Sequence, residues 1–93
     1  MYMVFDTETT GLPANFNAPI SDTDNWPRIV QLAWQIHDDM GELILHKDFI
    51  IKPVGYNIPV NTESIHGIST ELAYVVGEEM TDVLRIFKND IKN

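Results

Sequence analysis

A chain of 93 residues with no cysteine and a formal charge of −8 has room for one small domain and no means of building a disulfide framework or a thiolate-ligated metal site. Its 44% hydrophobic content, with two Trp, three Tyr and four Phe, excludes a disordered chain, and no apolar run approaches the roughly 20 residues that span a bilayer. Six Lys and Arg residues exclude a broad basic surface for duplex nucleic acid, while carboxylates neutralised by divalent cations stay compatible with the acidic balance.

Met1 to Phe5 is a short, β-prone apolar run that lacks the basic start and the length of a signal peptide, so a cytoplasmic location is expected. The Thr-rich segment after it closes at Gly11-Leu12-Pro13, which places Asp6 and Glu8 at a strand's end before a turn. Residues 13–27, with Pro13, Pro19 and Pro27 among Asn and Asp, read as a surface loop longer than an ordinary strand connection, and loops of that length are often functional. From Arg28 to Asp38 the chain alternates, Val30, Leu32, Trp34 and Ile36 on one face and Gln31, Ala33, Gln35 and His37 on the other, as a strand with one buried face does. Asp39-Met40-Gly41 supplies a turn. Leu43 to Lys52, with Leu43, Leu45, Phe49 and Ile51 on one side, then reads as the antiparallel hairpin partner, ended by Pro53. Asn61 to Gly67 reads as a short helix with Asn61 as its N-cap and His66 in its last turn. The segment Glu78 to Lys92 sets Met80, Val83, Leu84, Phe87 and Ile91 at helical spacing, with acidic residues first and Lys88 and Lys92 last, as the helix dipole favours.

Residues two apart in a strand point the same way, so Asp6 and Glu8 project parallel carboxylates from Cα atoms roughly 7 Å apart. Two hard oxygen donors on one rigid element suit Mg²⁺ or Mn²⁺, which complete their shells with water and phosphate. The plain alternative is a solvated pair at a strand terminus.

The string Phe5-Asp6-Thr7-Glu8-Thr9-Thr10-Gly11-Leu12 resembles the first motif of the DEDD-type, or DnaQ-like, 3′–5′ exonucleases, a family that includes proofreading subunits such as that of DNA polymerase III. Pro27-Arg28-Ile29-Val30-Gln31-Leu32-Ala33 is similar to the family's second strand, and Ile58-Pro59 followed by Ile65-His66-Gly67-Ile68-Ser69 is similar to its helix. The resemblance implies an α/β, ribonuclease-H-like fold, here its N-terminal portion of three mainly antiparallel strands plus one short and one longer helix. It implies Asp6 and Glu8 as the catalytic metal ligands of a two-metal hydrolysis of terminal phosphodiesters in DNA or RNA. In that scheme Asp6 bridges both ions and Glu8 holds the one that carries the attacking water. Thr7, Thr9, Thr10, Gly11 and Leu12 correspond to the stretch that meets the terminal nucleotide, and Ile65 and His66 to the lining of the last base's pocket. His66 is not the family's general base, which belongs to a later motif; its alternative role is to satisfy carbonyls at its own helix end. The partners implied are a single-stranded 3′ end and a polymerase, with no membrane.

The family's second and third motifs, which bring the remaining carboxylates and the catalytic His, do not occur within residues 1–93, and Asp38, Asp39, Asp48, Asp82 and Asp90 stand in no matching context. Two expectations follow. The chain is the N-terminal part of one exonuclease domain and inactive alone, or it is a non-catalytic half-domain that assembles with another chain. Either leaves apolar faces exposed on the last helix and the first strand, which favours self-association. Trp34 is expected in the core, and Trp26, beside Pro27, is read either as a stacking platform or as an anchor for the loop. For His37 and His46, in the hairpin strands, structural roles are expected.

Overall fold

Val30, Leu32, Trp34 and Ile36 can be buried together only if the chain is extended, and the computed structural model, which describes residues 1–92, has all four at most 6% exposed in the central strand of a three-stranded antiparallel sheet. The strands are β1 (Tyr2–Thr9), β2 (Ile29–His37) and β3 (Leu43–Ile50), in the order β1-β2-β3. Helices α1 (Val60–His66), α2 (Thr70–Val76) and α3 (Met80–Lys92) follow, so the chain is α/β, with one helix more than the sequence predicts.

Register decides which side chains meet the helices. Phe5 lies opposite Trp34 and Thr7 opposite Leu32, whereas Asp6 lies opposite Ala33 and Glu8 opposite Gln31. Directly paired residues share a face. Met3, Phe5 and Thr7 therefore belong to the core side, and Val4, Asp6 and Glu8 to the other. β3 extends the same rows, with Lys47 opposite Trp34, Phe49 opposite Leu32, Asp48 opposite Ala33 and His46 opposite Gln35. Val83 of α3 is fully buried against Leu32, Trp34 and Ile51. Phe87 stands edge-on to Trp34 at 5.0 Å and to Phe5 at 5.9 Å, a favoured aromatic geometry. A second cluster of Val30, Ile58, Ile68 and Ala73 brings α2 over the start of β2. The opposite face carries Gln35, His46 and Asp48 in the open. Among the described residues, no helix is long and apolar enough to cross a membrane.

One carboxylate pins the two layers together. The indole N–H of Trp34 donates to Asp90 at 2.7 Å, and Lys47 reaches both oxygens of the same group at 2.9 and 3.1 Å. The Asp90 side chain is 11% exposed, so both bonds are made in surroundings that weaken them little by hydration.

The boundaries depart from the sequence reading where tertiary contacts override local preference. β1 continues to Thr9, because Asp6 to Thr9 find partners on β2. α1 starts at Val60 with Pro59, not Asn61, as its N-cap and without a side-chain cap; proline brings a preset φ and no N–H to satisfy. α3 starts at Met80 because Glu78 is held in a parallel bridge with Ile51, its N–H donating to Ile50 at 2.8 Å and its carbonyl accepting from Lys52 at 2.9 Å. Gly77 lets the chain pass: a Cβ there would stand 2.2 Å from the Ala73 carbonyl oxygen and 2.6 Å from the Lys52 nitrogen. Leu43, 55% exposed, falls out of phase after a bulge between Ile36 and His37. Leu84 and Ile91 lie beside the packed stripe of α3 and stay 43% and 57% exposed; on β1, Val4 and Phe5 are 60% and 61% exposed.

Lys47, above all, holds the Asp90 carboxyl below the usual carboxylate range; the Trp34 N–H adds to this and burial opposes it. A depressed carboxyl stabilises the fold fully above its unfolded-state range, and the contribution is lost as pH falls through that range toward the folded value. Denaturant midpoints are expected to drop on the acid side of pH ~4. Asp90→Asn is expected to shrink that drop and to lower stability at neutral pH by about 1–3 kcal/mol, since a charged partner is lost to Lys47.

Candidate functional site

Asp6 and Glu8 stand on the face of β1 turned away from the helices, Asp6 exposed and Glu8 half-buried. Neighbouring Ala33 is too small to fill the surface beside Asp6. A cleft of about 190 Å³ remains, lined by Val4, Asp6, Ala33, Gln35 and His46 among others. β3 brings two side chains to this face that the sequence reading passed over as site residues. Asp48 shares the row of Asp6 and accepts from the Gln31 side-chain amide at 2.7 Å, and His46 is exposed in the cleft itself. The alternation of β3 puts 46 and 48 in one phase; what the sequence lacks is the register that sets them beside Asp6. His37, in contrast, is occupied within its hairpin, its ring 3.0 Å from the Gln35 side-chain oxygen and 3.3 Å from the Gly41 carbonyl. The donor types fit a hard divalent cation, but among the described residues no three His, Asp or Glu side chains are grouped closely enough to hold one.

The strand runs into a turn fixed by its own threonines. Thr9 Oγ1 donates to the Gly11 carbonyl at 2.9 Å and accepts from the Gly11 N–H at 3.3 Å. Thr10 is bound to Arg28 twice, its N–H donating to the Arg28 carbonyl and its Oγ1 accepting from the Arg28 N–H, both at 3.0 Å. Gly11 has φ +145°, a conformation other residues rarely adopt. Thr7, in register with Leu32, faces the core side rather than the carboxylates.

α1 sits against this turn. The Thr62 methyl group lies 3.8 Å from where a Cβ of Gly11 would be, and Thr62 is only 7% exposed. Leu12 and Ile65 are left 83% and 79% exposed. His66 follows Ile65 at the end of α1, where its Nδ1 accepts from the Ile68 N–H at 3.1 Å. The ring thus satisfies an amide beyond the helix rather than a carbonyl of it. That bond places the ring proton on Nε2, which is buried and has no hydrogen-bond partner among the described residues.

The long loop is stapled by Asn25, whose side chain accepts from the Asn15 N–H at 2.7 Å and donates to the Asn15 carbonyl at 2.9 Å. Trp26 donates its indole N–H to the Pro19 carbonyl at 2.9 Å, so it anchors the loop while one part of its ring remains accessible.

Gly11→Ala has room for its methyl group, so its cost is conformational. Thermal melting is expected to show a loss of about 1–3 kcal/mol, several degrees for a domain of this size. No protein-family model matches the chain, and no curated protein matches it.

Proposed function

We propose that the chain is the first part of a metal-dependent 3′–5′ exonuclease domain of the DEDD type, with a ribonuclease-H-like fold, acting in the cytoplasm on single-stranded ends of DNA or RNA. The observation that carries this reading is the pair Asp6 and Glu8, parallel on the open face of a rigid strand that runs directly into the Gly11 turn. Asp6 and Glu8 would hold Mg²⁺ or Mn²⁺, which when bound supplies Lewis acidity and a nucleophilic water. The chain's own residues do the positioning. Gly11 has no side chain to keep a terminal nucleotide away from the turn, and Thr9 and Thr10 hold that turn in shape. Leu12 and Ile65 offer exposed apolar surface for a sugar or base. The His66 Nε2–H, on the residue that follows Ile65, is a buried donor without a partner among the described residues.

Two carboxylates are fewer donors than a two-metal centre uses, so residues 1–93 alone are expected to bind metal weakly and to leave oligonucleotides intact. The second reading, a non-catalytic half-domain that assembles with another chain such as a polymerase, draws on the absence of a larger ligand group among the described residues.

Manganese titration followed by electron paramagnetic resonance separates the two. The exonuclease reading expects weak binding that Asp6→Asn or Glu8→Gln reduces at least tenfold. Binding that neither substitution alters would sink it, and no binding at all favours the assembly module.

A further inference from the structure

Two clefts meet at Arg28. One, of about 370 Å³, is lined by Arg28, Lys52, Tyr56 and Glu79 with Ile51 and Met80. The other, of about 510 Å³, is lined by Arg28, Trp26, Ile20 and Thr23, and Pro27 contributes to both. The Arg28 guanidinium lies 5.2 Å from the centre of the Tyr56 ring, and the Tyr56 hydroxyl donates to the Ile29 carbonyl at 3.2 Å, which holds the ring at the end of β2. Partial burial of Tyr56 raises its phenol above the usual range, so the ring stays neutral at physiological pH.

Cations are scarce in this chain. Of its six Lys and Arg residues, Lys47 is bound to Asp90 and Arg85 to Asp82. The other four, Arg28, Lys52, Lys88 and Lys92, form no ion pair among the described residues, and of these Arg28 and Lys52 line one cleft. Their charges are thus not cancelled by an ion pair, although Glu79 lines the same cleft, in a protein of net charge −8. Trp26, Arg28, Tyr56 and Lys52 together present aromatic faces interleaved with positive charges. That is the arrangement that binds single-stranded nucleic acid, in which bases stack on rings and phosphates meet cations.

We propose that the paired clefts form a track for single-stranded nucleic acid, in which Trp26 and Tyr56 take bases and Arg28 and Lys52 take phosphates. The track joins the motif's turn, because the Arg28 main chain is tied to Thr10 by two hydrogen bonds. Its assignment to nucleotides preceding the 3′ terminus rests on the exonuclease reading; its binding of a strand does not. An acidic peptide would satisfy the cations but leave both rings unused.

The test is titration of the 93-residue protein with oligothymidylate in EDTA, read by tryptophan fluorescence. Trp34 is 1% exposed and out of reach, so quenching reports on Trp26. Saturable quenching is expected that weakens as salt is raised, with affinity falling roughly tenfold in Arg28→Gln and again in Lys52→Gln, and with Lys88→Gln, at an exposed cation of α3 outside both clefts, leaving it undiminished. Absence of binding, affinity unchanged in both Arg28→Gln and Lys52→Gln, or equal competition by polyglutamate overturns the track. Manganese binding that ignores Asp6→Asn, alongside oligothymidylate binding that depends on Arg28, leaves the track standing and removes the exonuclease reading.

Discussion

The hydrogen bond from the Trp34 indole to Asp90 is the contact on which the rest of the arrangement turns. Burying an indole with its N–H unpaired costs about 1–3 kcal/mol, and the carboxylate that accepts from it comes from near the end of α3. Lys47 then arrives from β3, so one side chain ties the middle strand, an edge strand and the longest helix. The other edge strand joins through rings, Phe5 on Phe87 and Phe87 on Trp34. Once α3 is fixed to the Trp34 side, the sidedness of the sheet is no longer open. In β1 the residues in phase with Phe5 turn inward, and those in phase with Asp6 turn to solvent. Display of both acidic groups on one open face is therefore a consequence of how an aromatic residue on the neighbouring strand is satisfied.

This sidedness separates charges. Acidic groups from β1 and β3 collect on the uncovered face, where Asp6, Glu8 and Asp48 share neighbouring rows. Arg28 and Lys52, with Glu79 beside them, sit instead at the end of the sheet where the Thr10 turn and the Ile51–Glu78 bridge meet. A polyanion approaching the first region needs divalent cations to offset repulsion, whereas at the second the protein itself supplies the charge.

The alternation from Val30 to Ile36 was legible because one face of β2 is buried along its whole length and the other is not. The same holds for the glycine turn after Asp38 and for Gly67, whose φ of +76° ends α1 as its position suggests. α2 escaped because its signal is in the caps rather than the period. Only Ala73 is buried, Tyr74, Val75 and Val76 are β-prone, and the helix is announced by Ser69 accepting from the Leu72 N–H and by Gly77 after its end. For the site, the motif located Asp6, Glu8 and the turn. The neighbourhood of His46 and Asp48 depends on register between strands, and that of Arg28, Tyr56 and Lys52 on contacts across separate loops, neither of which leaves a mark on local sequence. Trp26 was ambiguous between anchor and platform because its two ends do different things: the N–H is committed to Pro19, and the ring faces a cleft.

The junction between the end of β3 and the start of the last helical segment is built from main-chain groups alone, with Ile50 and Lys52 bonded to Glu78 and Gly77 squeezed against Lys52. The hydrogen bonds of such a joint do not depend on the side chains of Lys52 and Glu78, and the joint is unforgiving at the glycine. Substitutions at Glu78 and Lys52 would be tolerated where one at Gly77 would not, while Ile50 and Ile51 are held by the core they pack into. Position 52 is then released from any structural duty of its side chain, and evolution is at liberty to choose the residue there for what it presents to the cleft outside.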